Sequence, residues 1–288
     1  MDRNMIMRAV MAAVLVLGMV GSLSPAPASA EIRFGTVPRL SAAELQAMYA
    51  PLLEYLAKET GEKMSLVVPK DFEGVKTAAK NGQMDMGFVN PLLYVQIKQM
   101  VDIEPLALSS EVKSGTRLRG IIIVRKDSGI SKLQDLKGKK LVFVDKDSPA
   151  GYLFQMLLLN KAGFDTAKDI TVLPFAKKHE NVTQAVLNRT ADAGGIREDE
   201  LEKVKDKIDI SQIRILGYTD YFPNWPVFAM GKLKPELTAR IKAALLKLKP
   251  NDPQNEKILG PARLTGFIPV SDKEYDDLRK AAKLVDAL

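Results

Sequence analysis

One stretch near the middle of the chain, GKKLVFVDKDSPAGYLFQMLLLN, limits the possible fold most strongly; it runs from Gly138 to Asn160. Residues 141–144 form a short apolar run that predicts a buried strand, and a polar turn follows over residues 145–149. Beyond the turn, apolar side chains recur at helical spacing and predict a helix over residues 150–162. A strand, a short turn and a helix in this order are typical of α/β proteins with parallel sheets.

The turn in this stretch has the composition of an anion-binding loop. Ser148, Ala150 and Gly151 are small, so a ligand can approach the free N–H groups of the first helical turn, which extends to Tyr152. These N–H groups carry a partial positive charge that favours phosphate-like groups. We expect Ser148 to be both the helix cap and a ligand donor. The alternative is an ordinary N-cap, which any Ser before a helix can provide.

The first residues of the chain have the pattern of a secretory signal. Arg3 and Arg8 precede an apolar run over residues 9–20, and an A-x-A sequence stands directly before Glu31. This pattern predicts a signal peptide over residues 1–30 that is removed on export to the periplasm. An uncleaved membrane anchor is the alternative interpretation.

The composition excludes several kinds of site. The chain has no cysteine and one histidine, so we expect neither disulfides nor a metal site. It has no G-x-S-x-G motif and no other recognisable pair of nucleophile and base, so we predict no catalytic residues and no cofactor. The net charge of +7 is compatible with an anionic ligand, although lysines on exposed helix faces account for most of it. No basic stripe is interleaved with aromatic residues, so nucleic acid is not an expected partner.

Strands and helices alternate along the whole chain and are interrupted twice. A flexible loop at residues 113–116 precedes the first expected passage between domains, near residues 115–120, and the proline-containing segment at residues 221–226 suggests the second. We therefore predict an α/β fold of two lobes, each a mainly parallel sheet flanked by helices, with residues 31–117 and 222–288 in one lobe and 118–221 in the other. The predicted strands cover residues 32–37, 64–68, 84–89, 104–109, 118–126, 141–144, 171–173, 192–195, 213–218 and 227–230; predicted helices include 71–80, 150–162, 179–187, 197–205, 235–248, 256–259 and 272–284.

Other candidate ligand residues follow the ends of predicted strands, where open parallel sheets bind ligands. Each also has a structural interpretation: a solvated loop for the histidine, an exposed helix start for the arginine and core packing for the tyrosine. These candidates are Thr36, Asn90, Tyr94, His179, Asn181 and Arg197.

Several motifs occur together in the order and spacing of a known family. They are DSGI at residues 127–130, LKGK at 136–139, the serine-containing turn described above, and N-P-x-x-Y at 90–94. In these motifs the chain resembles the phosphate, phosphite and phosphonate-type substrate-binding proteins of ABC transporters. That resemblance implies a type II periplasmic binding protein, a clamshell that closes on an anion.

The chain also departs from the pattern of that family. Lys178 and Glu180 flank His179 where the family has Ser-His-Asp, and Pro149 and Ala150 stand where hydroxyl residues are frequent. The sequence therefore does not rank phosphate, phosphite and phosphonate as ligands.

The resemblance implies a solute-binding protein that captures a small anion by hinge closure and presents it to an ABC permease. We expect a monomer. The alternatives are a sensor subunit that reports ligand occupancy to a signalling receptor, a binder of another anion such as a carboxylate or sulfonate, and a periplasmic enzyme on a similar fold.

Overall fold

The computed structural model describes residues 31–205, 207–285 and 287–288, and the expected signal peptide lies outside the described residues. Residues 31–288 form one compact unit. Within the part that is described, no helix has both the length and the apolar character needed to cross a membrane.

Thirteen strands and nine α-helices make up the described chain. The strands are β1 (Ile32–Thr36), β2 (Met64–Val67), β3 (Met86–Phe88), β4 (Ile103–Glu111), β5 (Arg117–Leu118), β6 (Gly120–Arg125), β7 (Lys139–Val142), β8 (Ile170–Val172), β9 (Ala193–Arg197), β10 (Ile213–Tyr218), β11 (Phe222–Pro223), β12 (Pro226–Met230) and β13 (Leu264–Ile268). The helices are α1 (Ala42–Thr60), α2 (Phe72–Lys80), α3 (Pro91–Met100), α4 (Phe154–Lys161), α5 (His179–Leu187), α6 (Glu198–Val204), α7 (Pro235–Lys247), α8 (Glu256–Leu259) and α9 (Asp276–Lys283).

The first sheet has the strand order β13-β4-β12-β3-β1-β2. Its pairings show that β1, β2, β3 and β4 run in one direction, whereas β12 and β13 run in the other. Helix α1 packs against this sheet because Leu45, Tyr49, Leu52 and Leu56 recur at helical spacing on one face and are fully buried.

The second sheet has the order β10-β6-β9-β7-β8. Here β7, β8, β9 and β10 share a direction and only β6 opposes them. Each sheet therefore has most of its strands in one direction. Of the antiparallel strands, β6 enters the second sheet and β12 re-enters the first. The core under this sheet includes Ile122, Phe143 and Leu159.

The chain passes from the first sheet to the second between β4 and β6 and returns between β10 and β12. The two passages pair with each other: β5 and β11 form an antiparallel ribbon in which Leu118 lies opposite Phe222 and Arg117 opposite Pro223. The sequence indicated two passages at these places, but it did not indicate that they pair.

The structure differs from the sequence-based assignment at several elements. The helix predicted over residues 150–162 starts as a π-helical turn at Pro149–Leu153 and becomes α-helical at Phe154, because the N–H of Phe154 bonds to the carbonyl of Pro149. The predicted C-terminal helix begins with a 3₁₀ turn at Asp272–Tyr275. Strand β13 was not predicted; it is short and lies between helical segments, and its pairing with β4 is a long-range contact.

Candidate functional site

The turn after β7 carries a row of unused hydrogen-bond donors. The main-chain N–H groups of Ala150, Gly151 and Tyr152 donate to no acceptor among the described residues. The hydroxyl of Ser148, a residue that is 7% exposed, likewise has no hydrogen-bond partner in the described part of the chain. N–H groups at the start of a helix are ordinarily satisfied by a cap, by water or by a ligand, so this turn is prepared to accept an anion.

The expectation that Ser148 caps the helix was wrong. Its Oγ accepts no N–H of the first turn. A Cβ added at Gly151 would be 2.7 Å from this Oγ and 2.6 Å from Cγ2 of Val144. The small residue that the sequence suggested for ligand access is therefore also required by packing inside the turn.

A second helix start with unused donors lies at α5, which follows β8. Lys178 occupies the N-cap without a side-chain bond, and the N–H groups of His179, Glu180 and Asn181 have no acceptor among the described residues. The side chain of Asn181 donates to the carbonyl of Ala176 at 2.8 Å, so its amide is used within the preceding loop.

The imidazole of His179 is oriented by the main chain of β9. Its Nδ1 accepts the N–H of Arg197 at 3.2 Å. In the neutral ring the proton is therefore on Nε2, which is left as a donor. Burial lowers the pKa of His179; Glu200 opposes this effect and Arg197 adds to it. The ring is thus a neutral donor at neutral pH.

The structure places Arg197 in an ion-pair network and not beside the unused donors as a free cation. Its guanidinium is 2.5 Å from Glu111, 2.9 Å from the hydroxyl of Ser114 and 2.6 Å from Asp199. A buried guanidinium is stable only when it is paired, and Arg197 is 7% exposed. In this conformation it joins β9 to the last residue of β4 and to the loop that follows, and its role as a ligand residue stays a prediction.

The structure gives different contacts to Thr36 and Asn90, two candidate ligand residues from the first sheet. Thr36 is fully buried and its hydroxyl donates to the carbonyl of Phe88 at 3.1 Å, so it is used inside the sheet. Asn90 caps α3 through the N–H of Leu93 and also donates to the main-chain carbonyl of Asp147 at 3.2 Å. Of these two residues, Asn90 contacts the turn after β7.

Tyr94 lies in the core. Its hydroxyl donates to Asp272 at 2.6 Å, and its ring packs against Phe228 and Tyr275. Burial and the neighbouring Asp272 raise the pKa of Tyr94. The assignment of Tyr94 to the ligand site is therefore not supported by its position, because the phenol is enclosed by the first sheet and the C-terminal helix.

Sequence reasoning missed the contacts that hold the turn from the first-sheet side. The carboxylate of Asp147 lies 3.2 Å from Nζ of Lys76 and 3.0 Å from Nε2 of Gln96. Lys76 and Asp147 are 71 positions apart, and neither belongs to a motif that indicates pairing. These contacts hold the turn after β7 against α2 and α3.

Two sheet-based halves joined by two chain passages define the class of type II periplasmic binding proteins. Within it, the chain belongs to the family described as "ABC transporter, phosphonate, periplasmic substrate-binding protein", whose family model matches residues 34–275.

Individual relatives agree with this membership. The phosphate-import protein PhnD of Mycolicibacterium smegmatis is 27% identical, over 93% of this chain and 91% of that protein. The structure of PhnD1 from Prochlorococcus marinus (MIT 9301) in complex with methylphosphonate matches with a TM-score of 0.76 at 17% identity, over 90% of this chain and 99% of that chain. The tetrathionate sensor histidine kinase TtrS of Salmonella typhimurium is 23% identical over 80% of this chain, which corresponds to 42% of the kinase. The family is one of binding proteins.

Proposed function

We propose that this protein is a periplasmic solute-binding protein that captures a small oxyanion of the phosphonate or phosphate class and delivers it to an ABC permease. The observation that carries the proposal is the row of unused donors at residues 148–152. Three N–H groups and one hydroxyl converge where a tetrahedral anion offers several oxygens. The donor at Nε2 of His179 is the proposed fifth contact.

The proposed mechanism is closure of two lobes, formed by residues 31–117 with 222–288 and by residues 118–221. Contacts between the two sheets support it: Arg197 reaches Glu111 and Ser114, and Asp147 reaches Lys76. A ligand bound at the turn adds contacts that exist only when the lobes are together, so it shifts the population towards the closed state. Binding and release, without a covalent step, complete the proposed cycle.

The proposed cellular context follows from the family. A cleaved segment at residues 1–30 exports the chain, which then acts as a monomer that docks on the permease. Mass determination of the exported protein tests the cleavage, and light scattering tests the monomer. The expected results are an N-terminus at Glu31 and the mass of one chain.

Titration calorimetry and thermal unfolding test the ligand class. The chain from Glu31 is titrated with phosphate, phosphite, methylphosphonate, an alkanesulfonate and a dicarboxylate, and compared with the variants Ser148→Ala and His179→Ala. A ligand at about a hundred times its Kd adds roughly 2.7 kcal/mol to the free energy of unfolding. We expect a phosphorus oxyanion to stabilise the wild type and each variant to lose at least tenfold in affinity. Binding of a carboxylate or sulfonate alone overturns the proposed ligand class.

A sensor role is the second candidate, and the match to the histidine kinase TtrS is the observation that favours it. The two roles are separated by the partner that responds to the loaded protein. Stimulated ATP hydrolysis by a reconstituted permease supports import. Changed autophosphorylation of a receptor kinase, with no effect on a permease, supports sensing.

A further inference from the structure

Gln155 lies in α4 directly behind the turn that carries the unused donors, and its side chain is fully buried. Its amide nitrogen is 2.8 Å from the carbonyl oxygen of Ala150, 3.1 Å from that of Ile121 in β6 and 3.0 Å from that of Ile196 in β9. One carboxamide therefore contacts the turn and two strands of the second sheet.

The neighbouring sequence leaves room for this carboxamide. A Cβ added at Gly120 would be 2.3 Å from the amide nitrogen of Gln155, and one added at Gly195 would be 3.1 Å from its carboxamide carbon. Two glycines on adjacent strands thus accommodate one side chain, and any larger residue at position 120 would displace it.

Packing alone does not explain a glutamine here. Its Oε1 is buried without a hydrogen-bond partner in the described chain, and two amide hydrogens serve three carbonyls. A buried polar atom without a partner costs about 1–3 kcal/mol, so an apolar side chain of the same volume would fill the space at lower cost. The amide is instead explained by the main-chain groups that it holds.

We propose that Gln155 is a positioning residue for anion binding, because its hydrogen bond to the carbonyl of Ala150 fixes the peptide plane between Ala150 and Gly151. That peptide is trans, so its N–H points away from its carbonyl. Holding the carbonyl towards α4 directs the N–H of Gly151 to the opposite side, where the unused donors lie. The inference rests on the proposed function of this turn.

The test compares two buried residues of the same helix. Gln155→Met keeps the approximate volume and removes the donor, whereas Leu159→Ala removes core packing, since Leu159 is fully buried and lies in the core of the second sheet. Affinity for inorganic phosphate and methylphosphonate is measured by calorimetry, and the free energy of unfolding by urea denaturation. We expect Gln155→Met to lose at least tenfold in affinity, and Leu159→Ala to lose stability with affinity within twofold of the wild type.

A readout without ligand separates this inference from the proposed function. In the unliganded protein, the amide NMR resonance and hydrogen-exchange rate of Gly151 should change in Gln155→Met and stay as in the wild type in Leu159→Ala. If Gln155→Met does not fold, Gln155→Asn keeps the polar group, is one methylene too short to reach Ala150, and should give the same changes. An unchanged Gly151 amide, or an affinity loss that merely follows stability in both variants, overturns the inference even if the wild type binds an oxyanion. If the Gly151 amide changes in Gln155→Met but the wild type binds none of the probes, the positioning role of Gln155 stands and the proposed ligand class is overturned.

Discussion

The helices that follow equivalent strands in the two halves of the molecule begin differently. Helices α1, α2 and α3, after β1, β2 and β3, are capped by the side chains of Ser41, Asp71 and Asn90. The π-helical turn at Pro149–Leu153 and helices α5 and α6, after β7, β8 and β9, have no side-chain cap. The same strand-to-helix unit is thus built in two ways.

This difference shows that a helix start can serve either stability or ligand binding. A side-chain cap contributes about 1 kcal/mol to stability because it satisfies an N–H group at the helix start. An uncapped start forgoes that contribution and keeps its N–H groups free for a ligand. The three helices that follow β1, β2 and β3 are therefore closed by the protein itself, and the helical starts that follow β7, β8 and β9 are left open.

The largest expected effect follows from closing the open turn sterically. In Gly151→Ala the new Cβ would lie 2.6 Å from Cγ2 of Val144 and 2.7 Å from Oγ of Ser148, so the turn must shift. We expect a loss of about a hundredfold in oxyanion affinity, or about 2.7 kcal/mol, measured by calorimetry. Gly217→Ala is the matched control, since the atoms nearest to its Cβ are in the Leu133 and Leu158 side chains, at 3.2 Å or more. Equal affinities of the two variants would contradict the role of the turn.

The next effect concerns stability in the first half. Burial opposes ionisation of Asp85, but hydrogen bonds from Arg33 and Lys232 outweigh it and lower the pKa of Asp85 to about 2. A lowered carboxylate pKa contributes stability above the unfolded value of about 4, and this contribution is lost as the pH falls towards 2. Allowing for solvent screening of this partly exposed pair, Asp85→Asn should lower the free energy of unfolding by about 1–2 kcal/mol at pH 7 and weaken the acid dependence, measured by urea denaturation.

Asp127 in the second half is the control for Asp85. Its pKa is also lowered to about 2, chiefly by hydrogen bonds from Arg125, but its pair is exposed to solvent. Because solvent screens exposed pairs, Asp127→Asn should change the urea midpoint less than Asp85→Asn does. A larger change of the urea midpoint in Asp127→Asn than in Asp85→Asn would show that the ion pair of Asp85 is not the more stabilising of the two.

A reciprocal pair of variants exchanges the two kinds of helix start. Ser41→Ala opens the capping box with Glu44 and should cost about 1 kcal/mol of stability with no change in affinity.

Lys178→Asp supplies a side-chain cap to α5 and should add up to about 1 kcal/mol of stability. It should also weaken oxyanion binding several-fold, because the new carboxylate occupies an N–H group and adds negative charge. Parallel urea and calorimetric titrations check both signs. An affinity gain in Lys178→Asp would contradict the assignment of α5 to the site.

The smallest effect is the pH dependence of stability from the sole histidine. Burial lowers the pKa of His179 in the folded state, so between that value and about 6.5 the unfolded chain binds the extra proton. Stability from this group is therefore complete above about pH 6.5 and declines as the pH falls below it. His179→Gln should remove the decline, measured as the urea midpoint between pH 5 and 8. An identical slope in the variant would show that other groups cause it.

The sequence predicted the features that depend on neighbouring residues. The bounds of α5 and β10 agree with the prediction, because each is encoded within a few positions. The serine-containing turn was also found from local composition and from the family motifs. Its π-helical start was not, since it depends on how residues 149–154 bond to one another.

Side-chain direction explains most of what the sequence did not predict about the site. Tyr94 and Thr36 follow strand ends, as ligand residues do, yet the first points into the core towards Asp272 and the second bonds within the sheet. Arg197 is satisfied by Glu111, a partner 86 positions away in the chain. Such long-range pairs leave no periodic or motif signal in a single sequence.

The paired passages between the sheets limit how the two halves can move. A single linker allows bending, twisting and sliding, but β5 and β11 are hydrogen-bonded side by side, and Arg119 next to them stacks on Tyr218 and Tyr221 at 4.1 and 4.5 Å. Two tied strands resist shear along their length and rotation about their common axis, whereas bending across the ribbon strains neither pairing. The proposed opening and closing would therefore be confined to bending across the ribbon, and the turn at residues 148–152 would return to the same position against the first half in each cycle.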